Sequence, residues 1–228
     1  MSGSPHSRRA LSPAQVPGPA VRGRGARRTH AERREEAERR LLDAALGVVA
    51  RRGSVRMTLA EVGEAAGYSR GLPAHRFGSK AGLLRALATH IGERFRLERE
   101  AARRREPGLD SIRGIVDVYF GRTDANWTST RALLAMMAEG FMEDSDLRAN
   151  VTAYNRSALA FFEHHIGLGV ASGEIVADAD PKTLSVILLG AMRGVMLQRL
   201  SDDAIDLDKV REKLLAIVDR VLASGPRR

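Results

Sequence analysis

The sequence has no cysteine, which excludes disulfide scaffolds, thiol catalysis and cysteine-ligated zinc sites. Aromatic residues make up only 4% of the 228 positions, a composition that disfavours β-sandwiches and barrels. Alanine, leucine, arginine and glutamate are abundant instead, and these residues favour helix. No apolar run approaches the ~18 residues that span a bilayer, and no apolar core of an export signal follows Arg8-Arg9. We therefore predict an all-α, soluble, cytoplasmic protein that does not contact a membrane.

Acidic residues are missing from the first 30 positions, which hold six arginines and four of the eight prolines. Such a segment buries too little apolar surface to offset the entropy of ordering, so we predict a disordered basic arm over 1–30. This arm either lies along DNA phosphates or only aids solubility.

Basic residues exceed acidic ones only in the N-terminal part of the chain. Residues 1–106 hold 23 basic and 11 acidic side chains, against 14 and 17 in residues 107–228. A polyanionic partner for the N-terminal part alone explains this asymmetry. A coding bias towards arginine would explain the preference over lysine, but it would not explain why the excess stops near residue 106.

Helical periodicity and turn residues predict about nine helices and no strand. The first helix is expected to end at Gly53, and Thr58 with Glu61 matches a capping box. Ser79 is expected to cap a longer helix that continues to about Arg105. Further amphipathic or apolar helices are predicted at 109–121, 128–142, 146–170, 182–200 and 207–222.

The most informative segment is residues 57–78, MTLAEVGEAAGYSRGLPAHRFG. Two short helices on either side of a turn at Gly67 predict a helix-turn-helix, whose second helix can enter a DNA major groove. We expect the small residues Val62, Ala65 and Ala66 to let the two helices cross closely. Ser69 is expected to cap the second helix.

The run from Arg39 to Leu87 resembles the DNA-binding domain of the TetR (tetracycline-repressor-like) regulators. The matching features are LLDAALGVVARRG, then MTLAEVGEAAGYSRG, then H-x-F-G-S-K leading into a fourth helix. The resemblance implies a DNA-binding domain over 31–96, with the helix-turn-helix at 57–76. It also implies an effector-binding and dimerisation domain over 97–228, in a homodimeric regulator, usually a repressor, of a pseudo-palindromic double-stranded DNA operator.

The same resemblance implies DNA contacts at named positions. Thr58 and Lys80 would touch backbone phosphates, and Phe77 would anchor the recognition helix in the core. The full set of implied DNA-binding residues is Thr58, Ser69, Arg70, Gly71, Leu72, Ala74, His75, Arg76 and Lys80. Arg70 and Arg76 are the candidates for base reading or phosphate contact, unless both are merely solvated surface residues.

Two positions depart from the pattern of the resembled family. Ala74 stands where the family usually has an aromatic residue, and Pro73 stands where it usually has leucine. Because proline lacks an N–H and restricts the residue before it, we expect Pro73 to tighten the first turn of the recognition helix without destroying it. Base preference is therefore not transferable from a relative.

The last two predicted helices are apolar around much of their circumference, which requires burial on two sides. Either one side faces a second subunit, as the resemblance implies, or both belong to the thick core of a monomer. The expected interface residues are Leu188, Met192, Val195, Leu214, Ile217 and Val221.

Aromatic residues and methionines cluster in the C-terminal half, and their helical spacing makes most of them ordinary core. As a hypothesis, some line a cavity for a largely apolar small-molecule effector. The candidates are Tyr119, Trp127, Met137, Phe141, Tyr154, Phe161 and Arg193. Arg193 either pairs with a carboxylate of the ligand or forms a structural salt bridge with Asp117 or a partner subunit.

The sequence shows no convincing catalytic, metal or cofactor constellation. The glycines between Gly167 and Gly173 have the wrong spacing for a dinucleotide loop, and Glu163-His164-His165 lacks the spacing of a zinc helix. We expect no enzyme activity, no cofactor and no metal. The alternatives are a DNA-binding protein without an effector, and a helical enzyme or scaffold with an incidental helix-turn-helix.

Overall fold

The computed structural model describes residues 29–102, 105–121, 127–142 and 145–225, and these ranges contain nine helices and no strand. The predicted all-α class is confirmed. The predicted arm at 1–30 lies outside the described residues, apart from Thr29 and His30. The helices are α1 (His30–Arg56), α2 (Leu59–Ala65), α3 (Leu72–Phe77), α4 (Lys80–Ala102), α5 (Leu109–Phe120), α6 (Thr128–Gly140), α7 (Arg148–Ser172), α8 (Pro181–Ser201) and α9 (Leu207–Leu222).

Helix boundaries follow local capping signals. At the start of α1, the Thr29 hydroxyl accepts a hydrogen bond from the Glu32 backbone N–H, and the Glu32 carboxylate accepts one from the Thr29 N–H. Gly53 has a φ of 76° and interrupts α1 where the sequence predicts its end. Asp180 caps α8, and hydrogen bonds from the Thr183 hydroxyl and then from the Lys182 backbone lower the pKa of the Asp180 carboxyl.

Two hydrophobic clusters form the core of the molecule. The first joins helices α1 to α4 with α6 and the beginning of α7, and includes Leu41, Val49, Leu83, Ile91 and Met136. The second joins α5, α7, α8 and α9, and includes Ile112, Phe162, Ile166, Met192 and Val218. Because α6 packs along α1, a helix of the C-terminal half completes the core under the first helices.

Three residues predicted at a subunit interface lie inside the core of the chain itself. Leu188, Met192 and Leu214 are buried in the second cluster, and Val195 is half-buried against it. Their assignment to an outward face is wrong, because a helix that is apolar on all sides does not reveal which side its own domain covers. Ile217 and Val221 are exposed, as residues of a subunit interface must be in the isolated protomer.

Helix α8 is the one described helix that is long and apolar enough to cross a membrane by length and composition. Core helices of other proteins pass the same test. Residues of α8 that are buried within the chain alternate with half-buried and exposed ones, so one side of this helix faces outward. The exposed large apolar side chains on α8 are Val186, Ile187 and Leu197.

Candidate nucleic-acid interface and effector cavity

The helix-turn-helix begins with a helix cap at Thr58. The Thr58 hydroxyl accepts a hydrogen bond from the Glu61 backbone N–H at 3.2 Å, which confirms half of the predicted capping box. The Glu61 carboxylate instead accepts from Arg52 Nη1 at 2.7 Å, tying α2 to the end of α1. Thr58 therefore holds the start of α2 while its side chain stays exposed.

Replacing Thr58 with alanine leaves the first turn of α2 without its side-chain acceptor. We expect T58A to lower the free energy of unfolding by about 1 kcal/mol. Thermal or denaturant unfolding measures this loss. Thr89→Ala is the matched control, because the Thr89 hydroxyl only bonds the Arg85 carbonyl one turn earlier in the same helix and we expect no loss of stability there.

Helices α2 and α3 cross at Gly63, which is buried in the middle of α2. A Cβ atom built on Gly63 would lie 2.5 Å from the Ser69 carbonyl oxygen and 3.2 Å from the Pro73 ring. The predicted crossing residues are thus partly wrong: Val62 is buried at the contact, but Ala65 is exposed. A glycine inside an otherwise good helix was the sequence signal for this close approach.

The recognition helix α3 is short and has Pro73 in its first turn. It spans six residues from Leu72, with Gly71 at its N-cap, so the predicted cap at Ser69 is wrong. The Leu72 N–H donates to the Ser69 carbonyl at 3.1 Å, a bond over three residues that confirms the predicted tight turn. Pro73 occupies the first turn, where its missing N–H leaves no partner unsatisfied, and its ring is buried.

The outer edge of the helix-turn-helix is built from the turn and one side of α3. Ser69, Arg70, Gly71, Ala74 and His75 are exposed there. Leu72 and Phe77 are half-buried against the first cluster, and Phe77 takes the anchoring position predicted for it. Lys80 is half-buried at the start of α4, where its Nζ donates to the Val55 carbonyl at 2.6 Å.

The two candidate arginines differ in environment. The Arg70 side chain is 74% exposed, and its Nε lies 2.9 Å from a carboxylate oxygen of Glu64, itself an exposed residue. Exposed ion pairs of this kind contribute little and exchange readily, so the guanidinium is available to a phosphate or a base.

Arg76 does not point outward, contrary to the sequence prediction. Its side chain is only 15% exposed, and its Nη2 lies 3.1 Å from the Glu38 carboxylate. The same nitrogen donates to the Arg34 carbonyl at 2.7 Å. Because both partners belong to α1, Arg76 holds the recognition helix against α1.

A basic groove that sequence reasoning missed continues from α3 onto α1. It has a volume of about 530 Å³ and places α1 arginines beside the recognition helix. The sequence signal for this groove was the pair Arg33 and Arg34, which follows the Thr29 cap in the N-terminal turns of α1. The groove residues are His30, Arg33, Arg34, Ala37, Leu41, Leu72, His75 and Arg76.

The seven predicted effector residues do not form one site. Met137, Phe141 and Arg193 line a common cavity of about 390 Å³ between α6, α7 and α8. Tyr154 lies next to it, with its ring 5.7 Å from the Arg193 guanidinium carbon. The remaining three, Tyr119, Trp127 and Phe161, belong to or pack against the second cluster, so their placement in the same pocket is wrong.

Arg193 has a structural partner, but not the predicted one. Its Nη1 donates to Asn155 Oδ1 at 2.6 Å, whereas Asp117 accepts from Arg105 at 3.1 Å. Arg148, Thr152 and Asn155 also line the cavity and were not predicted from the sequence. Their signal was a polar series at intervals of four and three residues, which places them on one face of α7.

Helix α6 connects this cavity to the DNA-binding helices. Met137 lines the cavity and also belongs to the first hydrophobic cluster. Two residues further on, the Glu139 carboxylate accepts a hydrogen bond from the hydroxyl of Ser54. Ser54 is buried and follows the interruption of α1 at Gly53. Helix α6 therefore contacts both the cavity and α1.

A helix-turn-helix with an exposed basic edge, joined to a helical region with its own cavity, defines a one-component DNA-binding regulator. Residues 41–87 match the family described as bacterial regulatory proteins, tetR family. Residues 109–223 match the family described as BetI-type transcriptional repressor, C-terminal. The chain belongs to the TetR family of transcriptional regulators and has a BetI-type C-terminal region.

Similar proteins support this placement. The chain is 30% identical over 190 residues to HTH-type transcriptional regulator BetI 1 of Chromohalobacter salexigens, covering 81% of this chain and 90% of that one. It is 29% identical over 196 residues to CymR of Pseudomonas putida, covering 84% and 93%. A solved structure of a Saccharomonospora viridis transcriptional regulator in complex with choline has a TM-score of 0.75 at 18% identity, covering 84% and 100%, and shares the fold.

The function that follows from this membership is regulation of transcription by binding DNA. Both of these relatives are HTH-type transcriptional regulators. Members of the family bind operator DNA as dimers and respond to small molecules.

Proposed function

We propose that the chain is a homodimeric repressor that acts in the cytoplasm on a pseudo-palindromic operator and releases it when a small molecule binds. Residues 31–96 would read DNA, and residues 97–228 would hold the effector and the partner subunit. The observation that carries the proposal is the exposed edge of the helix-turn-helix at Arg70, Ala74 and His75, backed by a buried α2–α3 contact.

The proposed DNA-binding surface combines this edge with positive charge from α1. Arg70 and His75 face outward on or beside α3, while Arg33 and Arg34 lie across the basic groove. Such a surface suits a major groove for α3 and the adjacent phosphates for α1. The exposed Thr58 hydroxyl and the Lys80 ammonium at the start of α4 are proposed phosphate contacts. Salt-dependent binding is the expected consequence.

Because Arg70 is exposed and Arg76 is bound to α1, we expect their alanine variants to behave differently in DNA binding and in stability. We expect R70A to weaken operator binding about tenfold and, if Arg70 contacts a phosphate, to lower the slope of log affinity against log salt by about 0.9. R76A should instead lower the free energy of unfolding by about 1 kcal/mol, because it loses one hydrogen bond and one ion pair to α1, and leave the salt slope unchanged. Binding isotherms over a salt series, with unfolding curves, measure both.

Arg156→Ala is the control for this pair, since Arg156 is an exposed arginine on α7 outside the DNA-binding surface. If R70A and R156A bind alike at every salt concentration, Arg70 makes no contact with DNA. A changed salt slope in R76A would mean that Arg76 leaves Glu38 to contact a phosphate.

The proposed dimer face consists of the outward sides of α8 and α9. Val186, Ile187 and Leu197 on α8, and Ile217 and Val221 on α9, are each more than 50% exposed. Gly190 lies among them, and a Cβ added there would meet nothing within 4 Å of its own chain. Small residues on an outward helix face let a second helix approach closely. This arrangement favours a subunit interface over the exposed side of a monomer core.

The proposed route from effector to DNA runs through α6. A ligand between α6, α7 and α8 would favour one position of α6, and α6 packs directly on α1. For a tenfold loss of operator affinity, the ligand needs only ~1.4 kcal/mol of preference for the conformation that does not fit DNA.

Selection of genomic fragments by the purified protein, followed by footprinting, tests the proposed function. The expected result is a protected inverted repeat whose half-sites are separated by about one helical turn of DNA or slightly more. If the protein retains no fragment in a salt-sensitive manner, the proposed function is wrong. An operator that no small molecule releases would support a repressor without an effector.

A further inference from the structure

We propose that the effector of this regulator carries a negative charge, held by Arg193 and Arg148 in the cavity between α6, α7 and α8. This proposal rests on the proposed function, because it assigns the chemistry of the ligand that releases the operator. The first observation is that the cavity, at about 390 Å³, has the size of a small-molecule site.

Arg193 is fixed in place without being neutralised. Its guanidinium lies over the Tyr154 ring at 5.7 Å, and its Nη1 donates to Asn155 at 2.6 Å. Its Nη2 is buried and has no hydrogen-bond partner among the described residues. A buried donor without an acceptor is costly, and a carboxylate, sulfonate or phosphate oxygen is the partner that a guanidinium binds most strongly.

A second guanidinium, that of Arg148, lines the same cavity. Its Nη2 donates to the Met142 carbonyl at 2.9 Å, a neutral acceptor that does not cancel the guanidinium charge. Among the described residues, the hydrogen-bond acceptors of Arg193 and Arg148 are the Asn155 amide and the Met142 carbonyl, and both acceptors are uncharged. A larger groove of about 540 Å³ between α4 and α6 differs, because its lining includes the carboxylates of Glu139 and Asp146 as well as Lys80.

The rest of the lining supplies apolar contact and one hydroxyl. Met137, Phe141 and Val151 contribute apolar surface, and Thr152 contributes the hydroxyl. The cavity therefore suits a molecule with an apolar body and one anionic group. A quaternary ammonium such as choline would be repelled by both guanidiniums, although a regulator of the same fold binds it.

The experiment compares two fluorescent probes that differ in a single charged group. 8-Anilinonaphthalene-1-sulfonate is anionic, and N-phenyl-1-naphthylamine is its uncharged counterpart. We expect the full-length protein to bind the sulfonate about tenfold more tightly than the uncharged probe, as a charge-assisted hydrogen bond predicts. R193M replaces the guanidinium with an uncharged, unbranched side chain of similar length. This variant should lose the preference for the sulfonate while still binding the uncharged probe.

Three further variants make the assignment specific. R193K keeps the positive charge but cannot form bidentate hydrogen bonds, so it should retain part of the preference for the sulfonate. R148M should reduce it, and R156M, at an exposed position on the same helix, should leave it unchanged. Retained binding of the uncharged probe and an unaltered thermal transition show that R193M is folded.

The outcomes separate this proposal from the proposed function. Equal binding of the two probes, no binding of the sulfonate, or a preference that survives both R193M and R148M would overturn the assignment of an anionic effector, while salt-sensitive operator binding still stands. Conversely, a charge preference lost in R193M supports the site even if the protein retains no DNA.

Discussion

We expect the operator affinity to fall sharply when Gly63 is replaced by alanine. The added Cβ would lie 2.5 Å from the Ser69 carbonyl oxygen, and backbone on that side cannot yield as the end of a side chain can. The gain of about 0.5–1 kcal/mol that alanine brings to a helix interior is smaller than the typical cost of overpacking, about 1–3 kcal/mol. To relieve the clash, α3 must move away from α2.

Such a displacement should affect DNA binding more than stability, because the proposed contacts of Arg70, Ala74 and His75 with the major groove require α3 to keep its angle to α2. We expect G63A to lower operator affinity more than tenfold and the free energy of unfolding by about 1–2 kcal/mol. Binding isotherms and denaturant unfolding measure the two quantities.

Gly167→Ala is the matched control for this prediction. Gly167 also lies inside a helix, but a Cβ built there meets nothing within 4 Å. This substitution should leave operator binding unchanged and raise stability slightly, by up to about 1 kcal/mol. If G63A behaves like G167A, the close approach of α2 and α3 is not needed for recognition.

Replacing Ile187 with glutamate is expected to separate the dimer without unfolding the protomer. Ile187 is 56% exposed on the outward face of α8, so the substitution costs the isolated chain little. In a dimer, the same carboxylate would be buried against the partner helices without a counter-charge. A monomer holds only one recognition helix, so we expect operator affinity to fall by about 100-fold or more.

Size-exclusion chromatography with light scattering would show I187E as a monomer with an unaltered helical circular dichroism spectrum. Leu97→Glu is the control, since Leu97 is 57% exposed but lies on α4, away from the proposed dimer face. A wild-type protein that is monomeric at micromolar concentration, or an I187E variant that remains dimeric, would reject the α8–α9 interface.

The recognition helix shows how far local sequence rules extend. Pro73 predicts a tightened first turn, and the hydrogen bond from Leu72 to Ser69 confirms it. Local rules also place Thr58 at a helix cap, because a cap depends only on the next three residues. They cannot place the Arg76 side chain, since its partners Glu38 and Arg34 are about forty positions away in the chain.

Sequence alone determined most helix boundaries, the helix-turn-helix and the family, because each depends on contiguous residues or a short motif, but it misplaced the start of α3. The tertiary structure decided which face of α8 is buried, which of the two arginines faces solvent, and that Arg193 meets Asn155 rather than Asp117. Periodicity identifies an apolar face but not the element that covers it. Contacts between distant segments are set by how the helices pack. Helix packing depends on many residues that are far apart in the chain, so no short motif reveals it.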